Sequence, residues 1–102
     1  MKDHNYFVYI ITNKSKSVLY TGVTNDLVVR LYQHREDALG KQKHFAGRYS
    51  CYYLLFFERF ENINQAIARE KQIKGWKRER EIDLISSFNK EWKFLNDTIK
   101  EL

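Results

Sequence analysis

The sequence predicts an α+β fold, and three observations carry that prediction. Two β-branched and aromatic runs stand near the start with a short polar stretch between them; a third run, dense in apolar residues, lies at mid-chain; and the segments around it repeat apolar residues at helical spacing. Residues Tyr6 to Thr12 are β-branched or aromatic at nearly every position, as suits a strand covered on both faces. Asn13 to Ser17 is a polar loop and Val18 to Thr24 a second strand, and so short a connection predicts an antiparallel hairpin. Side-chain alternation puts Tyr9 on one face with Phe7 and Ile11, and Tyr20 with Val18 and Gly22. In a suitable register the two tyrosines lie side by side.

Asn25 or Asp26 can cap a helix running to about Glu36, whose Leu27 and Leu31, with Val28 beside them, form the face that packs on the sheet. Asp37 to Ser50 holds Gly40, Gly47, Lys41, Lys43, His44 and Arg48 and reads as a long basic loop suited to following a nucleic-acid backbone. Cys51 to Phe60 is the third strand, central or covered on both faces. Ile63 to Lys74 is a helix capped by Asn62 or Asn64, with Ile63, Ala66, Ile67 and Ile73 at helical spacing and Gly75 as its stop. Trp76 to Ser87 gives a further helix with Ile82, Leu84 and Ile85 for its contacts, and Asn89 to Leu102 reads as a turn and a short terminal helix.

A chain of 102 residues is the size of one domain, taken as residues 1–102. Its 43% hydrophobic and 16% aromatic content, with no proline, belongs to a packed core and excludes a disordered chain. The lone Cys51 excludes a disulfide within these residues and a thiolate metal site, and it fits a reduced, cytoplasmic setting. The apolar run near the N-terminus is too short for a signal sequence or a membrane span. A net charge of +5 on so small a chain favours a polyanionic partner. The charge is concentrated: Arg69, Lys71, Lys74, Lys77, Arg78 and Arg80 crowd one stretch against Glu70 and Glu79.

Two constellations carry chemistry. Arg30 and His34 are one turn apart and share a helix face, so a planar guanidinium fork for phosphate oxygens stands beside an imidazole able to exchange a proton. Glu70 falls three residues from both Ile67 and Ile73, inside or at the edge of an apolar stripe. A carboxylate there costs several kcal/mol unless a cation or a basic side chain compensates.

These residues together resemble the GIY-YIG nuclease superfamily. The likeness runs from about residue 6 to 95 and rests on Val8-Tyr9-Ile10, Tyr20-Thr21-Gly22, Arg30, His34, Glu70 and the Ala66–Trp76 segment, which looks like that of the small single-domain bacterial members. Phe7 stands where the first motif has glycine, and Thr21 where the second has isoleucine. The resemblance implies a three-stranded antiparallel sheet flanked by helices and an endonuclease that hydrolyses phosphodiester bonds of nucleic acid, DNA ahead of RNA, with little sequence specificity. It further implies Mg2+ or Mn2+ on Glu70, Tyr9 as general base, Tyr20 helping to place the attacking water, Arg30 on the phosphate and His34 assisting proton transfer. Gly22 and Asn89 would support the site. Lys41, Lys43, Arg48, Arg69, Lys74, Lys77 and Arg78 are candidate nucleic-acid contacts. A tyrosine base must overcome a free pKa near 10, and Arg30 and a metal would both depress it. The alternative is a non-catalytic nucleic-acid-binding module of the same fold.

Overall fold

The computed structural model describes residues 5–40 and 49–100. In chain order these form β1 (Tyr6–Thr12), β2 (Leu19–Thr24), α1 (Leu27–Leu39), β3 (Tyr53–Phe60), α2 (Ile63–Lys74) and α3 (Arg78–Phe88). The strands make one antiparallel sheet in the order β2-β1-β3, so the α+β class and the three-stranded sheet flanked by helices hold. The most apolar strand, β1, takes the middle, where both faces and both backbone edges are covered. β3 is an edge strand, yet apolar side chains cover it on both faces. Its register against β1 slips between Ile10 and Ile11, which pair with Phe56 and Leu54 and leave Leu55 as the extra residue of a bulge. Leu55 and Phe56 consequently both face one side of the sheet, while Leu54 and Phe57 face the other.

Each face has its own core. Val8 and Ile10 of β1 meet Ala66 and Ile73 of α2 and Ile85 of α3. On the opposite face Phe7, Tyr9 and Ile11 meet Leu27 and Leu31 of α1 and Ile99 near the C-terminus. Asp26 caps α1 by accepting a hydrogen bond from Val29 N at 3.1 Å, and Asn62 caps α2 through Asn64 N at 2.8 Å and Gln65 N at 3.3 Å.

Four expectations need correction. First, α1 continues to Leu39, with the Gly40 N–H bonded to Glu36 O, so the mid-chain loop starts later. Second, Val28 is 38% exposed; the buried stripe of α1 is Leu27, Leu31 and His34, the four-then-three spacing of one helix face. His34 therefore points into the core, one turn from the partly buried Arg30. Third, Ile63 is exposed, and α2 buries Ala66 and Ile73. Fourth, residues 89–100 make turns instead of a terminal helix. Bonds outside the helical pattern engage the segment: Asn89 takes both the N–H and the C=O of Lys93, and the rest of the segment docks on β3. Asn96 accepts from Leu54 N at 2.9 Å and donates to Tyr52 O at 2.8 Å, while Leu95 N donates to Leu54 O at 2.8 Å. The segment thus lies along β3 and covers part of its open edge. No described helix is long and apolar enough to cross a membrane.

Candidate active site

The site forms where α1 crosses the β1–β2 hairpin. The register pairs Tyr9 with Gly22 and Ile11 with Tyr20, so the tyrosines share a face and stand diagonally. Gly22 is a strand residue with no positive φ, and space is what it supplies. A Cβ built there would lie 2.4 Å from the Tyr9 hydroxyl and 2.5 Å from its Cζ. The phenol lies across the glycine toward β2, a path any side chain at that position would block.

His34 descends from α1 onto this ring. Its Nε2 is 2.8 Å from the Tyr9 oxygen, and its ring stands edge-on to Tyr9 and to Tyr20, with centroids 5.7 and 5.6 Å away. Nδ1 is buried and has no hydrogen-bond partner. A proton on Nδ1 would bury an N–H with no acceptor; a proton on Nε2 leaves only a lone pair unmatched, the lesser cost. The Nε2–H tautomer then donates to Tyr9. Arg30 leaves the same helix one turn earlier and donates from Nη1 to Gln33 Oε1 at 3.0 Å.

Burial dominates the titration of both groups. It pushes Tyr9 up to about 12, although hydrogen bonding and charge from Arg30 pull the other way and the charges of Tyr20 and Glu70 add to the rise. Arg30 thus acts in the direction the sequence suggests and is outweighed by desolvation. Burial, then the Arg30 charge, lowers His34 to about 4 against a smaller opposing effect of Asp37. At neutral pH the pair is a phenol and a neutral imidazole.

Glu70 reaches this face from α2, past the outer strand β2. Its side chain is 16% exposed, and Lys74 Nζ sits 3.2 Å from its Oε2. The same ammonium lies 5.9 Å from the centre of the Tyr20 ring. The compensation required at Glu70 therefore comes from the lysine one turn on. The sequence contains that signal, since Glu then Lys at this spacing is a familiar helix pair. No cluster of three or more His, Cys, Asp or Glu side chains occurs among the described residues. Mg2+ does not require one, because it keeps several waters and takes one or two carboxylates plus substrate phosphate. Glu70 fits that role: a largely buried carboxylate already matched by a cation that a divalent ion could replace.

The structure brings Tyr9, Tyr20, Arg30, His34 and Glu70 together, with Gly22 against the Tyr9 ring and Lys74 on Glu70, and leaves the remaining described candidates apart. Arg69 bonds Glu58 Oε1 at 2.9 Å and Gln72 Oε1 at 2.7 Å, and Arg78 donates to Ser17 O at 3.0 Å, tying α3 to the hairpin loop. Trp76 is held between Arg69 and Arg80, at 5.3 and 4.5 Å. Lys77 is exposed at the start of α3. Asn89 donates to Leu55 O at 3.1 Å and Lys93 O at 2.8 Å and accepts from Lys93 N at 3.1 Å, fixing the turn after α3. Lys41, Lys43 and Arg48 lie outside the described residues.

A hairpin and two helices thus gather two tyrosines, an arginine, a histidine and a glutamate within one small α+β domain. Residues 5–83 match the GIY-YIG catalytic domain, and the chain belongs to the GIY-YIG family. It is 40% identical to a UPF0213 protein of Clostridium perfringens over 79% of this chain and 83% of that one. A UPF0213 protein of Haloquadratum walsbyi is 37% identical over 82% and 89% of the two chains. The solution NMR structure of a UPF0213 protein from Bacillus halodurans superposes with a TM-score of 0.51 at 28% identity, covering 95% of this chain and 96% of that one.

Proposed function

We propose that this chain is a divalent-metal-dependent endonuclease, hydrolysing nucleic-acid phosphodiester bonds through Tyr9, Tyr20, Arg30, His34 and Glu70, with DNA ahead of RNA and little sequence preference. The observation that carries the reading is the Tyr9 oxygen. His34 Nε2 lies 2.8 Å from it, and Arg30 and Glu70 both act on it electrostatically, in a chain of the GIY-YIG family.

Arg30 binds the scissile phosphate with its planar fork and balances the charge that grows as water attacks. The reactive form of Tyr9 is the phenolate, formed by loss of its proton to solvent and stabilised by donation from Arg30 and from His34 Nε2–H. It accepts a proton from the attacking water and returns to the phenol. Tyr20 helps to orient that water. Glu70 would hold the cation, which would supply positive charge to stabilise the negative charge on the phosphate, and Lys74, which pairs with Glu70 at 3.2 Å, is placed to meet the nucleic acid beside it.

The test is a panel of single-stranded, duplex and branched DNA, and RNA, incubated with Mg2+ or Mn2+. The expected result is cleavage by the wild type that stops with chelator and in Arg30→Ala. A folded wild type that cuts none of them would instead favour the non-catalytic binding module.

A further inference from the structure

Beyond the Tyr9 cluster, one surface of the molecule combines aromatic faces with positive charge. Tyr52 and Tyr53 stack with centroids 4.4 Å apart and planes at 30°, and Tyr53 stacks on Phe94 at 4.3 Å and 23°. The phenylalanine pairs elsewhere in the molecule are edge-on instead: Phe7–Phe57 at 62°, Phe56–Phe88 at 71° and Phe57–Phe88 at 74°. A row of near-parallel rings at the surface presents π-faces that a base can extend. Phe94 is 37% exposed, and Tyr52 and Tyr53 are partly exposed.

Basic side chains surround the row. Lys16 Nζ is 5.1 Å from the centre of the Phe94 ring. Its loop is fixed in place: Lys16 has φ of 60°, its N–H donates to Asn13 O at 3.0 Å, and Asn13 Oδ1 accepts from Ser17 N at 2.9 Å and Val18 N at 3.1 Å. A lysine in the left-handed region is held there at a cost in backbone energy. Arg35 and Lys14 are near enough for their charges to act on the Tyr52 phenol. Two clefts, of about 240 and 440 Å³, share Arg35, Tyr52, Asn96 and Asp97 as lining. Asp97 is the acid among them, and Lys100 meets it at 3.4 Å.

We propose that the Tyr52–Tyr53–Phe94 row and its clefts bind an unpaired base of single-stranded nucleic acid, with Lys14, Lys16 and Arg35 on the neighbouring phosphates. An acidic peptide would answer the charge but leave the parallel rings without a role. Arg35 directly follows His34 on α1, so one turn of that helix contributes a side chain to each site. A strand cut at the Tyr9 cluster could therefore lay an unpaired neighbour on the row, making the substrate one with a single-stranded stretch beside the cut. This last step rests on the nuclease reading; the binding does not.

The experiment measures anisotropy of labelled oligo-dT, oligo-rU and a DNA duplex with the Glu70→Ala chain in chelator, so that nothing is cut. Tyr52→Ala and Phe94→Ala, each placed in that chain, are expected to weaken single-strand binding about tenfold or more, from the loss of a stacked base. Duplex binding should change by less than about threefold, and the ratio of the dT and rU losses tells DNA from RNA. Unchanged single-strand binding, an equal loss on duplex, or polyglutamate that competes as well as oligo-dT would overturn the proposal. Photo-crosslinking of a 5-iodouracil oligonucleotide to the Glu70→Ala chain, without the ring substitutions, gives a second readout if they disturb folding. Adducts at Tyr52, Tyr53 or Phe94 are expected, and adducts confined elsewhere would overturn it. A wild type that binds in this way but never cuts would remove the nuclease reading and leave this site standing.

Discussion

The two faces of the sheet are built from the same strands and follow different rules. Against α2 and α3, Val8, Ile10, Leu55, Phe56, Ala66, Ile73 and Ile85 make a core of apolar side chains. Against α1, the corresponding layer contains a phenol bonded to an imidazole, a buried Nδ1 with no partner, and a glycine that clears a path for a ring. The first face is stabilised chiefly by burial of these side chains. The second gives some of that up to hold polar groups away from water, where donors and charges act more strongly. Stability and chemistry are thus divided between the faces, and substitutions should separate them.

The largest effects are expected on the α1 face. Gly22→Ala would place a methyl group where the Tyr9 hydroxyl now lies, so the ring must move. Nicking should fall at least about 100-fold, the scale of losing a positioned group in such a site. Restoring room with Tyr9→Leu should recover part of the stability in a double-mutant cycle and none of the activity. Arg30→Ala should lose a similar factor in rate with little change in melting temperature, because Arg30 is only partly buried.

On the other face Ile85→Ala should do the reverse. Emptying a fully buried position costs about 2–5 kcal/mol by chemical denaturation, while nicking per folded molecule stays within a few-fold of wild type. Comparable rate losses from Ile85→Ala and Arg30→Ala would end the proposed division between the faces.

Two pH effects follow. Because burial raises Tyr9 to about 12, its ionised fraction grows tenfold per pH unit through the neutral range. The logarithm of the nicking rate should rise with pH at a slope near one. No break from His34 should appear between pH 6 and 8, since that group is already neutral. The His34 effect belongs to stability. Its folded pKa of about 4 lies below the free value of 6.5, so between those values the unfolded chain binds more protons and stability falls as pH falls. The loss by pH 4 is on the order of 3 kcal/mol, and His34→Phe should remove that part of the acid sensitivity in urea titrations. The smallest effect concerns Cys51, buried in the α1-face core with its thiol raised to about 11; it should resist alkylation until the chain unfolds.

Local signals revealed much of this molecule. The apolar density of Tyr6–Thr12, the caps at Asp26 and Asn62, and the stop at Gly75 are short-range features, and the elements follow them. What escaped depends on neighbours distant in sequence. Nothing near Gly22 in the sequence says that Tyr9 lies across it, and the one-turn spacing of Arg30 and His34 does not say that the imidazole is buried against the sheet. The terminal segment carries apolar residues at helical spacing, but Asn89 and Asn96 capture the backbone of β3 and the last turns instead. The row of Tyr52, Tyr53 and Phe94 joins residues about forty positions apart and has no local signature.

The most direct test of the central claim, that five side chains from two helices and a hairpin act on one phosphate around one cation, is plasmid nicking in Mn2+ by Glu70→Ala beside the wild type. Circular dichroism should show both folded. A drop of at least about 100-fold in rate is predicted. A folded Glu70→Ala chain that nicks within a few-fold of wild type would contradict the account.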